Sequence, residues 1–324
     1  MSIESNLQNR YVGCLLGLAC GDAVGTTLEF SSRETLRPIT DMVGGGPFAL
    51  APGQWTDDTS MALCLAESLL SRNGFDARDQ MTRYLNWWHW GYWSATGQCF
   101  DIGTTVRQAL MSFQESGEPF AGSIDPQAAG NGSIMRLAPV ILFYYPDLTS
   151  MAWAAKQSSR TTHGAPEAIE SCQLLAEVVS RALAGHRKDE VLSLSPGQYR
   201  EPAIKDLASG SFKHKHRDQI RGTGYCIASL EAALWCFWST DSFEAAVLQA
   251  ANLGDDADTT AAIVGQIAGA FYAKPGIPSR WLEKLHLGSE IESIAIALFE
   301  SAQLRTGQGR GGGENFGTTP SPNS

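Results

Sequence analysis

Apolar side chains recur in this chain at steps of three and four almost throughout, and that periodicity constrains the fold more than any other feature. After Pro166, Ile169, Cys172, Ala176, Val179 and Leu183 fall on one helical face, while Glu170, Glu177 and Arg181 fall elsewhere. Comparable stripes occupy residues 9–19, 61–70, 81–93, 106–113, 133–143, 225–237, 243–253, 260–271 and 291–304. No clear run of alternating β-branched residues competes with them. The pattern predicts an all-α multi-helix bundle.

Punctuation refines this reading. Gly44-Gly45-Gly46-Pro47 and Ala51-Pro52-Gly53 make the stretch from about Ser31 to Trp55 a long non-helical loop, a kind that is usually functional or mobile. Gly265 and Gly269 share a helix face with Ala261 and Ala262 nearby, so a neighbouring helix can approach closely. No linker divides the middle, and residues 1–304 read as a single domain. Residues 305–324, rich in Gly and Pro, read as a disordered tail.

Hydrophobic residues at 43% and a net charge of −10 describe a soluble globular protein and argue against broad, charge-driven nucleic-acid binding. No apolar run reaches the roughly 18 to 20 residues of a bilayer span, and the N-terminus lacks the basic start of a signal peptide. A cytoplasmic protein with no membrane contact is expected. Seven cysteines without a Cys-x-x-Cys pair read as reduced core residues. The basic run Lys213-His214-Lys215-His216-Arg217 reads as a solvated loop before a phosphate or partner contact. Trp87, Trp88, Trp90 and Trp93, at helical spacing, read as core and not as a stacking platform.

Two acidic clusters stand at the heads of helical stripes, Thr56-Asp57-Asp58-Thr59 and Asp255-Asp256-Ala257-Asp258-Thr259-Thr260. One cap needs only one oxygen. Crowding carboxylates costs about 4 kcal/mol per pair at 4 Å where the effective dielectric is about 20, so something positive is expected among them. Carboxylate and hydroxyl oxygens without thiolate or imidazole suit hard cations such as Mg²⁺, Mn²⁺ or Ca²⁺. Asp256 and Asp258, two apart, can serve one centre only on a loop or first turn, which is where the spacing puts them.

The run from Gly13 through Gly17, Gly21 and Asp22 to Gly25, then Leu28-Glu29-Phe30, the Thr56–Thr59 cluster, Gly130-Asn131-Gly132-Ser133-Ile134-Met135-Arg136 and Gly254-Asp255-Asp256-Ala257-Asp258-Thr259 together resemble the ADP-ribosylglycohydrolase family. The resemblance runs in order from about Asn9 to Ala273. It implies a compact, orthogonal all-α bundle, two Mg²⁺ or Mn²⁺ ions in a cleft, and hydrolysis of the bond between ADP-ribose and an acceptor. The ligands it implies are Thr56, Asp57, Asp58, Asp256, Asp258 and Thr259. Some relatives read Gly-Asp-Thr-Asp-Thr at the second cluster; here Ala257 stands between the ligands, and Asp255 is an extra acceptor, a loop cap or a surface charge.

Glu29 and Asp101 are the candidate proton-transfer groups, with a solvated Glu and a helix cap as their structural alternatives. Asp22 is expected to pack the first helix end against the metal site. For the diphosphate, an amide-rich helix start at Asn131, Gly132, Ser133 and Met135 is expected to receive anionic oxygens. His163, in Thr161-Thr162-His163-Gly164, falls in a family-like motif and reads as a structural hydrogen-bonded group before a ligand or substrate contact, while Tyr225, in Gly222-Thr223-Gly224-Tyr225, matches an aromatic that the resemblance places beside the nucleoside, with core packing as its alternative. The expected partner is an ADP-ribosylated protein, with nucleic acid or a small molecule also open as acceptor. The rivals are a dimetal phosphatase, which would usually add His or Lys, and a catalytically silent ADP-ribose-binding or structural member.

Overall fold

The computed structural model describes residues 3–310, which hold 14 α-helices and no sheet. In chain order these are α1 (Ile3–Gly25), α2 (Asp57–Arg72), α3 (Ala77–Trp90), α4 (Thr104–Ser116), α5 (Ala138–Tyr144), α6 (Leu148–Arg160) and α7 (Pro166–Leu183). There follow α8 (Lys188–Val191), α9 (Pro202–Ala208), α10 (Cys226–Trp238), α11 (Phe243–Ala251), α12 (Ala257–Tyr272), α13 (Ser279–Lys284) and α14 (Gly288–Arg310).

The central pair is α1 and α12, which pack against each other more extensively than any other two helices. Their contact is a seam of small residues. A Cβ placed on Gly17 would lie 2.3 Å from the Gly265 carbonyl oxygen, and one on Gly269 would lie 2.0 Å from that of Gly13. Gly21 meets Ala261 and Gly25 meets Ala257 in the same way, so the helices run antiparallel with their backbones nearly touching. The close approach expected of Gly265 and Gly269 is therefore made by α1. As a consequence, the C-terminal end of α1, bearing Asp22, lies beside the N-terminal end of α12, bearing Asp258. Around this pair α2, α5, α7, α10, α11 and α14 close the main apolar core, and a smaller buried cluster forms where α2 meets α3 and α4.

Several sequence expectations change. The segment Glu4–Leu28 is long and apolar enough to pass for a membrane span, contrary to the reading that no such run exists; almost all of it is buried against other helices, so it is a core helix. The stripe at 133–143 becomes a turn followed by α5, because Pro139 lacks an amide and fits the first turn of a helix rather than its interior. Trp87 is buried and Trp88 and Trp93 pack at the core margin, but Trp90, at the end of α3, is 79% exposed and is no core residue. The basic run is tied down more than expected: Lys213 donates to Leu192 O, Lys215 pairs with Glu231 at 2.5 Å and Arg217 donates to Asn252 O. All seven cysteines are free, and all but Cys99 are buried. Helix α14 continues to Arg310, past the expected boundary at 304, and the rest of the expected tail, 311–324, lies outside the described residues.

Candidate active site

Thr56 and Asp256 occupy the N-cap positions of α2 and α12, yet neither side chain caps its own helix. The capping of α2 comes from α1 instead. The fully buried Asp22 carboxylate accepts from Thr56 N (2.8 Å), Thr56 Oγ1 (2.9 Å), Thr59 N (3.0 Å) and Thr59 Oγ1 (2.6 Å). This frees the acids of α2 from capping duty. Asp22 thus joins the first helix end to the acidic turn, as expected.

The two acidic turns meet at Thr56. Its Oγ1 lies 2.9 Å from Asp22 Oδ1, 3.0 Å from Asp58 Oδ2 and 3.2 Å from Asp258 Oδ2. One hydroxyl proton cannot satisfy three carboxylates. Thr259 Oγ1 is a further 3.5 Å from Asp58 Oδ2. Asp58 Oδ1 and Glu29 Oε2 are buried with no hydrogen-bond partner, and an orphaned carboxylate oxygen is costly. Oxygens of Asp22, Asp58 and Asp258 lie within 4.8 Å of one another, as do those of Glu29, Asp101 and Asp258. Asp258 belongs to both groups.

Burial, and then the charges of neighbouring acids, push Asp57, Asp58 and Asp258 well above the usual carboxylate range. Burial raises Asp22 to about 6 despite its four donors, and Asp101 to about 7 with help from Asp256. Glu29, buried and facing Asp101, is pushed up to about 9. An all-oxygen donor set with unpartnered buried oxygens fits hard divalent cations, whose charge would offset this repulsion.

A cleft of about 590 Å³ opens onto these acids. Glu29, Asp57, Asp101, Asp256, Asp258 and Thr259 line it, with Asn131, Gly132, Met135 and His163 on another side. Asp101 does not cap α4, whose N-cap is Gly103; it sits in the left-handed region (φ 59°) among the acids. Asn131 Nδ2 donates to Asp256 Oδ2 at 2.8 Å, so it orients an acid as well as lining the cleft. The 130–133 segment is a turn, not the N-terminus of α5, which starts at Ala138. Ser133 turns into the core, where it meets Ser159 Oγ and Cys172 Sγ, and does not line the cleft. Tyr225 stands at the head of α10 beside the cleft, its backbone bridged to Gly130 and its hydroxyl donating to Glu167 at 2.6 Å. Asp255 acts through its backbone: it accepts from Phe30 N at 2.7 Å and donates to Ser31 O at 2.9 Å.

The His163 ring is set from behind. Arg136 Nη2 donates to Thr162 Oγ1 at 2.6 Å, leaving the hydroxyl proton for His163 Nδ1 at 2.9 Å. The ring proton then sits on Nε2, against the Gly130–Gly132 turn, where a Cβ on Gly132 would come within 2.7 Å of the ring. Burial, and then the Arg136 charge, lower its pKa to about 3, so the ring is neutral.

Residues 3–308 match the family model for ADP-ribosylglycohydrolase. The chain belongs to the ADP-ribosylglycohydrolase family. It is 47% identical over 294 residues to the ADP-ribosylarginine hydrolase Tri1 of Pseudomonas putida (strain GB-1), covering 91% of this chain and 79% of that protein. It is 31% identical to the ADP-ribosyl-[dinitrogen reductase] glycohydrolase of Rhodospirillum rubrum, covering 89% and 94%. A solved chain described as an ADP-ribosylglycohydrolase-related protein complex superposes with a TM-score of 0.81 at 44% identity, covering 92% of this chain and 99% of that one.

Within this family member, sequence reasoning missed Arg136 and Thr162, which set His163, and Phe30, Phe48 and Phe100, which line the cleft. Arg136 was legible only as part of a motif, because a buried Arg looks like any surface Arg in sequence. Phe30 and Phe100 did carry a signal, since each adjoins a candidate acid.

Proposed function

We propose that this chain removes ADP-ribose from a modified arginine side chain of a protein, using two Mg²⁺ or Mn²⁺ ions. Thr56, Asp57, Asp58, Asp256, Asp258 and Thr259 would hold them. The observation that carries this reading is the convergence of Asp22, Asp58 and Asp258 on one threonine hydroxyl, with Asp258 also lining the cleft. Bound there, such ions supply charge that holds ribose hydroxyls and lowers the pKa of water.

Glycosidic bonds break through an oxocarbenium-like state, which nearby carboxylates stabilise. Glu29 and Asp101 lie where they can do this and move protons. The higher pKa of Glu29 suits it to protonate the departing guanidine nitrogen, and Asp101, near 7, suits a base for water. Neutral His163, donating from Nε2, and the backbone amide of Gly132 suit an anionic diphosphate without adding formal charge, whereas the Asn131 amide is already donated to Gly224 O at 3.0 Å. The name of the relative at 47% identity favours arginine as acceptor, and that of the dinitrogen reductase glycohydrolase favours a protein rather than nucleic acid.

The test is incubation of the full chain with Mg²⁺ or Mn²⁺ and an arginine-ADP-ribosylated protein, scoring free ADP-ribose by mass. Release that needs the cation and disappears in Asp58→Asn supports the reading. Binding of ADP-ribose without release would make the chain a silent binding protein.

A further inference from the structure

Beside Glu29 and Asp101 the cleft is bordered by aromatic rings from three separate segments. Phe30 and Phe48 meet edge to face with centroids 6.5 Å apart, and Phe48 tilts against Phe100 at 5.1 Å. Phe30 follows Glu29 directly and Phe100 precedes Asp101, so the rings flank the carboxylates. Core packing does not account for Phe30: it is 69% exposed, and its φ of 57° is unfavourable for a bulky residue. An exposed ring held in a costly backbone conformation points to a ligand that covers it.

Charge decides which part of the substrate that is. A diphosphate finds no basic side chain beside Glu29 and Asp101, and it is better served elsewhere in the cleft, where Arg107, His163 and the Asn131–Gly132 turn stand. A purine would stack on the rings but offers a single amino group to two carboxyl groups. A guanidinium is planar and cationic, so it stacks on aromatic faces and pairs with carboxylates at once.

Resting on the reading of the substrate as ADP-ribosylated arginine, we propose that Phe30, Phe48 and Phe100 form the acceptor subsite, with the guanidinium stacked on the rings and its N–H groups donated to carboxyl oxygens of Glu29 and Asp101. The rings then determine specificity for the acceptor and leave ADP-ribose binding to the rest of the cleft.

The experiment uses the full chain loaded with Mg²⁺, an ADP-ribosylarginine peptide for kinetics, and free ADP-ribose for calorimetric affinity. Phe48→Leu and Phe100→Leu are expected to lower kcat/KM on the peptide about tenfold, as loss of a desolvated cation–π contact would, with the Kd for ADP-ribose changed less than about twofold. Phe100→Tyr should retain activity. Phe30→Leu carries the same expectation on an exposed ring, where packing is not at stake. A parallel weakening of ADP-ribose binding would show that the rings hold the nucleotide and would overturn the proposal, as would unchanged kinetics in all three Leu variants. If the wild-type chain fails to cut the arginine conjugate at all, the arginine reading itself is wrong, a result distinct from either.

Discussion

At the scale of single residues, Thr56 shows how the acids are held ready. Its hydroxyl stands among carboxylates from α1, α2 and α12, a place suited to a ligand and unsuited to an ordinary cap. Asp58→Asn removes one charge and one ligand together. The expected outcome is at least about a hundredfold loss of ADP-ribose release, a metal-free melting temperature a few degrees higher, and loss of the Mg²⁺-induced rise. Thermal melts with and without Mg²⁺, beside the release assay, check all three. Thr162→Val tests the support of His163. It leaves Arg136 Nη2 without its acceptor and Nδ1 without its donor, and should cost about 1–3 kcal/mol in urea unfolding, with Thr162→Ser restoring most of it.

The acids were legible in the sequence because crowded like charges at a helix start have no cheap structural explanation. Ser133 was not, since a serine in a turn gives no sign of which way it points; here it faces Ser159 and Cys172. Asp101 was legible as an acid but open as to role, because only its backbone conformation shows that it does not cap α4.

Among elements, the seam between α1 and α12 governs the rest. Gly17→Ala would push a methyl to 2.3 Å from the Gly265 carbonyl, and backbone cannot rotate away as a side chain can. Destabilisation of about 3 kcal/mol or more is expected by urea unfolding, since a rigid contact raises the usual cost of overpacking. Cation affinity should fall as well, because Asp22 and Asp258 would be pried apart. Helix positions were readable wherever a stripe ran unbroken, as in α7. They failed where one proline reset the start, as at Pro139 in α5, and where periodicity extended past the core, as at Trp90.

For the whole molecule, the acid cluster makes stability depend on pH in a definite sense. Asp22, Asp101 and Glu29 have folded-state pKa values of about 6, 7 and 9, raised from their ordinary values of 3.8, 3.8 and 4.5. Groups shifted upward contribute stability that is complete below their unfolded values and is lost as pH rises through the folded ones. Metal-free protein should therefore melt at progressively lower temperature as pH is raised from about 5 to about 9. Mg²⁺ competes with those protons, so the rise in melting temperature that it produces should grow over the same interval. Melting curves in EDTA and in Mg²⁺ across that range decide it; a Mg²⁺ effect independent of pH would contradict the coupling.

The paired hydrogen bonds between Phe30, Ser31 and Asp255 join the loop that carries Glu29 to the turn that carries Asp256 and Asp258. Any outward swing of that loop to admit a bulky modified protein must therefore break both amide links or drag the late acidic turn with it. Admission of cargo and integrity of the ion-holding floor are in this way mechanically inseparable, and the amide hydrogens of Phe30 and Asp255 should exchange with solvent at a common rate.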